Sequence, residues 1–145
     1  MDEKTEKTKD LMKKLASCDN NSALDEYVDS IEGKYQTDLS QYIKGILEKK
    51  DMSIADLHRT SLIDRNYIYQ IMDGSKKPGR DKIIAIAIGA GMDLEECQQA
   101  LEISKEGILY PKSRRDSVII YAVNNKLSIM DLNSLLEKYN VPVLQ

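Results

Sequence analysis

Residues 52–74, MSIADLHRTSLIDRNYIYQIMDG, constrain the fold of this chain more than any other stretch. Met52, Leu57, Ile63, Ile68 and Ile71 recur at spacings that put apolar side chains on the facing sides of two short helices. Ser53 and Asp64 supply oxygen-bearing starts, and Gly74 a stop. Only Thr60 to Asp64 remain to join the two, so the helices must cross steeply rather than lie antiparallel. Arg65, Asn66, Tyr67, Tyr69 and Gln70 then stand on the side away from Ile68 and Ile71. Arg, Asn and Gln are the side chains that can make two hydrogen bonds at once to a purine edge in the major groove of a duplex.

On these residues the segment resembles the phage-repressor-like helix-turn-helix proteins, the XRE or lambda-repressor-like family, over roughly Leu39 to Ser104. The resemblance implies an all-α fold: a first helix, LSQYIKGIL from Leu39, the helix pair, and two further helices completing a five-helix domain. Matched residue by residue, Asp64 falls on the cap of the recognition helix, and Arg65, Asn66 and Gln70 on base-reading positions, with Tyr69 as a further base contact. Lys76, Lys77 and Arg80 fall in the loop that holds phosphates, and Ser53 and Tyr67 are expected as phosphate contacts. Tyr67 has a second reading, its ring leaning on the edge of the core with the hydroxyl left wet. The chain departs from the family pattern at Ile54, at His58, where a small residue is usual, and at Leu62, the turn-glycine position. Leu62 requires a turn that avoids the left-handed region, or a strained one. The implied function is a sequence-specific double-stranded DNA-binding transcriptional regulator, acting as a homodimer on half-sites about one helical turn apart. The alternative is a non-DNA-binding adaptor of the same fold that docks a protein partner.

With 145 residues there is room for one compact domain and appendages. A net charge of −3 disfavours indiscriminate attachment to nucleic acid, but SKKPGRDK and PKSRRD are basic islands, so DNA affinity is expected from a narrow footprint and to depend strongly on salt. Cys18 and Cys97 are far apart and, with the lone His58, form no zinc set; neither metal nor cofactor is expected. Cys97 sits on the apolar side of its segment and reads as a buried structural thiol. There is no Gly-rich phosphate loop, nucleophile elbow or paired histidine, so an enzyme is not expected. No apolar run spans a bilayer and MDEKTEKTKD is no signal peptide, so a cytoplasmic location without membrane contact is expected.

The chain divides into an N-terminal helical segment (1–36), the helix-turn-helix domain (37–106) and a C-terminal helical hairpin (107–145) used for packing or dimerisation. In the first, residues 3–17 read as a charged helix, and Ser22 as the cap of a second helix carrying Leu24, Tyr27, Val28 and Ile31 and ended by Gly33. In the last, residues 112–139 echo the two helices that follow Gly74. Arg80 pairs with Arg115, Asp81 with Asp116, Ile84 with Ile119, Ala87 with Ala122 and Leu101 with Leu136 at a constant offset. Two readings stay open: a true internal repeat, or two amphipathic hairpins alike only because each opens on a capping signal. Either way the hairpin needs a surface for its apolar side, on the preceding domain or on a second copy.

Overall fold

The protein is described by a computed structural model covering residues 8–31 and 38–145. Among these residues there are nine helices and no strand. Two compact units are present, Met1–Thr37 and Asp38–Gln145.

The first unit contains α1 (Thr8–Ala16) and α2 (Asn21–Ile31). Between them Cys18 points its thiol at the carbonyls of Lys14 and Ala23, 3.6 and 3.7 Å away. Asn20, rather than the expected Ser22, caps α2, its Oδ1 accepting from the Ala23 N–H at 2.8 Å. An amide one position before the helix reaches the third backbone N–H of the first turn, whereas Ser22 is already inside it. Neither helix buries a residue, and Met12, Leu24 and Val28 are all exposed. The expected start of the first helix at residues 3–7, and Gly33, the expected end of the second, lie outside the described residues.

The second unit runs α3 (Leu39–Lys49), α4 (Ile54–Ser61), α5 (Arg65–Met72), α6 (Arg80–Gly89), α7 (Leu94–Ile103), α8 (Arg114–Asn124) and α9 (Ile129–Lys138). Ser53 and Asp64 cap α4 and α5 as read in the sequence; Asp56 completes a capping box with Ser53, and Asp93 and Glu96 form another on α7. One core runs through the unit, with Leu57, Ile68, Ile84, Leu101, Ile119, Leu132 and Leu136 wholly buried. Each such side chain contributes on the order of 1.5–3 kcal/mol. The α4 and α6 backbones come close at Gly89, where an added Cβ would lie 2.8 Å from the Ser61 nitrogen. Cys97 is in this core, and burial pushes its thiol up to about 12, which leaves it protonated and inert.

The α8–α9 hairpin packs on α6 and α7, and the bonding decides between the two readings of the repeat. Arg80 clamps Asp116 through two hydrogen bonds of 3.0 and 2.8 Å, and Arg115 clamps Asp81 through two of 3.0 and 2.8 Å. Arg80 also donates to the carbonyls of Gly107 and Ile108, and Arg115 to those of Pro142 and Val143. Asp116 accepts from the Tyr110 N–H, and Asp81 from the Gln145 N–H. Gln98 accepts from the Leu109 N–H and Asn133 from the Leu144 N–H. Every one of these pairs is separated by the same 35 positions that divide Arg80 from Arg115. The two Arg–Asp clamps and the Tyr110 and Gln145 N–H bonds cross between the halves, each giving the other the bond it receives, the reciprocity of an isologous contact, and the remaining bonds recur inside each half. The repeat therefore spans 80–110 and 115–145, tails included. Capping signals alone would not reproduce bonds made by the tails.

Candidate nucleic-acid interface

The α5 helix is fixed from three sides. Asp64 turns its carboxylate onto the N–H groups of Asn66 and Tyr67, closing the first turn. Ile68, Ile71 and Met72 are buried on its inner face. At its C-terminus Gly74 adopts φ 85°, and the Lys76 N–H and Ser75 hydroxyl both donate to the Gln70 carbonyl. The connection from α4 is Leu62 to Asp64, with Leu62 at φ 59° and ψ 19°, in the left-handed region, so the turn takes the strained option. His58 helps to hold it: its Nδ1 lies 2.8 Å from the Ile63 carbonyl, and because a carbonyl only accepts, Nδ1 carries the proton.

On the outer face Arg65, Asn66 and Tyr69 are exposed, and Tyr67 and Gln70 half-buried. The Arg65 guanidinium lies 5.7 Å from the Tyr69 ring centroid, a cation–π contact one turn apart that leaves its N–H groups facing solvent. The side-chain amides of Asn66 and Gln70 have no hydrogen-bond partner among the described residues, and neither Lys76 nor Lys77 is ion-paired. Tyr67 packs against the core edge, as its second reading anticipated. Ser53 is exposed, its hydroxyl oxygen accepting from the Asp56 N–H.

Arg80 is different from the other expected phosphate contacts. Its two bonds to Asp116 and two to backbone carbonyls commit the guanidinium to the junction between the repeats. The lone sequence signal was the Arg80/Arg115 pairing, which points to that structural use. Lys44 is the residue that sequence reasoning left out: exposed on α3, it acts with the Ser75 contacts to hold the Asp73 carboxyl below its ordinary range. Ser75 supplies the larger effect, and Lys44 adds a positive charge beside the loop. Its signal was weak, a lysine on the polar side of an amphipathic helix.

Asp64 and Asp73 bracket α5 with negative charge, so attraction for an anion comes from Arg65, Lys76, Lys77 and Lys44 and not from the helix dipole. Among the described residues there is no group of three or more His, Cys, Asp or Glu able to hold a metal ion. None of the described helices is long and apolar enough to cross a membrane. No family model, curated protein or solved structure matches this chain.

Proposed function

We propose that the protein is a sequence-specific DNA-binding transcriptional regulator of the XRE or lambda-repressor-like helix-turn-helix kind, with α3 to α7 as its five-helix domain. The observation that carries the reading is the outer face of α5. Arg65, Asn66 and Gln70 hold bidentate-capable groups that make no side-chain hydrogen bond among the described residues, Arg65 touching only the Tyr69 ring, on a helix anchored from behind by Ile68 and Ile71. In the major groove Arg65 reads guanine, Asn66 or Gln70 reads adenine, and Tyr69 reaches a thymine methyl or a phosphate. Lys76 and Lys77, without an ion pair among the described residues, fix the register on the backbone, with Ser53, Tyr67 and Lys44 at the margins. Arg80 takes no part in this contact, being held by Asp116. A homodimer on two half-sites is the assembly such a domain uses.

A protein-docking use of the same face is the second reading. Leu62, 61% exposed in the turn beside α5, favours it, because an apolar tip there suits a protein surface. Selection of duplexes from a random pool separates the two. A DNA reader enriches one short motif; Lys76→Ala/Lys77→Ala weakens all duplexes alike and lowers the salt slope by about 2, while Arg65→Ala relaxes choice at one base pair. A pool that stays random at low salt, with the protein folded, rejects DNA reading in favour of the adaptor.

A further inference from the structure

The repeat makes a prediction about a surface as well as about a core. In the first hairpin, Ile83, Ile86 and Ala100 are each 1% exposed, where α4 covers α6 and α3 covers α7. Their counterparts 35 positions on are Val118, Tyr121 and Leu135. Nothing in Asp38–Gln145 covers them in the same way: Val118 and Leu135 are half-buried and Tyr121 is 55% exposed. Together with Tyr139 they line a groove of about 750 Å³ between α8 and α9. Within Asp38–Gln145, the face that receives helices in one hairpin receives none in the other.

The rim of this groove is basic. Arg114 donates through Nε to the Tyr139 carbonyl, and the Arg114 guanidinium and Lys138 ammonium lie 6.0 and 5.5 Å from the Tyr139 ring centroid. Neither cation is paired with a carboxylate among the described residues. A second copy presenting the same groove would bring these like charges together, which disfavours self-pairing here.

We propose that the α8–α9 groove is a docking site for an acidic amphipathic helix of a partner protein, seated as α3 and α4 are on the first hairpin. Its apolar side chains contact Val118, Tyr121 and Leu135, and its carboxylates meet Arg114 and Lys138. The inference is independent of what α5 binds.

The test uses the full chain and a fluorescent synthetic helical peptide of about four turns, with Leu at i, i+3 and i+4 spacing and Glu on both flanks. Anisotropy should report binding that weakens with salt, is reduced about tenfold by Arg114→Glu/Lys138→Glu, and is reduced about fivefold by the exposed change Tyr121→Ser. A peptide with Lys in place of Glu should be ignored by the wild type and bound by the charge-reversed variant, a swap that simple unfolding cannot produce. Circular dichroism melting confirms that both variants remain folded. The proposal is overturned by absence of binding at low salt, by binding indifferent to the charge reversal, or by sedimentation showing that two copies fill the groove with each other.

Discussion

Breaking the two Arg–Asp clamps separately should give unequal losses, and the inequality is set by burial. Arg80→Ala deletes four hydrogen bonds and leaves the Asp116 carboxylate, its side chain 8% exposed, with the Tyr110 N–H but no cation. An uncompensated buried charge of this kind costs about 3–5 kcal/mol. Arg115→Ala leaves Asp81, whose side chain is 22% exposed, so water replaces part of the lost pairing and the cost falls to about 2 kcal/mol. For a unit of this size the first change should lower the melting temperature by about 10–20 °C and the second by roughly half as much. Urea unfolding of Arg80→Ala, Asp116→Ala and the double variant should give a coupling energy above about 2 kcal/mol. The reasoning is refuted if Arg80→Ala stays within about 1 kcal/mol of wild type, if the coupling vanishes, or if Arg115→Ala proves the costlier change.

Two further outcomes follow from single positions and a third from a pair of carboxyls. Leu62→Gly should raise stability by about 0.5–1 kcal/mol, because relief of a left-handed Cβ outweighs the extra chain entropy of glycine. Leu62→Ala, which keeps the Cβ, should not show that gain, and equal stability of the two variants would exclude strain in the turn. Gly89→Ala should destabilise by about 1–3 kcal/mol despite better helix propensity, since the new methyl meets the backbone of Ser61; unchanged thermal unfolding would show that α4 can move away. Stability should also fall on acidification. Burial pushes the Asp81 and Glu96 carboxyls up, but the Arg115 bond and Gln145 N–H outweigh it for Asp81, and the Asp93 N–H with Lys49 and Lys50 for Glu96. Both end below their ordinary 3.8 and 4.5, so the unfolded chain binds protons first. Their contribution is whole above about pH 5 and is lost as pH falls through and below those values. A urea midpoint that is flat between pH 6 and about pH 3 would contradict this.

Much of the fold was legible because local chemistry and packing agree. Ser53, Asp64 and Asp93 announce helix starts by oxygen, and the apolar spacing from Leu57 to Ile71 marks which faces turn inward. Asn20 was missed because a neighbouring serine offers the same capping chemistry and only backbone geometry chooses between them. The tails Gly107–Tyr110 and Pro142–Gln145 carry little periodicity, so their membership of the repeat shows only through main-chain bonds to the two arginines and carboxylates. Arg80 illustrates the harder limit at the site. A basic residue after a recognition-like helix looks the same in sequence whether it faces a phosphate or a carboxylate 36 positions away, and only the tertiary contact distinguishes the two. Lys44 escaped for the same reason, since its distance from the loop depends on how α3 packs on α5.

The central claim is that the free edge of α5 reads base pairs, and the most direct measurement is equilibrium binding to the duplex a random pool selects, compared with single base-pair variants of it. The account predicts salt-dependent affinity, loss of discrimination at one base pair for Arg65→Ala and at a different one for Gln70→Ala, and no comparable loss for Lys77→Ala. Identical base preference in the wild type and both α5 variants, all folded, would contradict it.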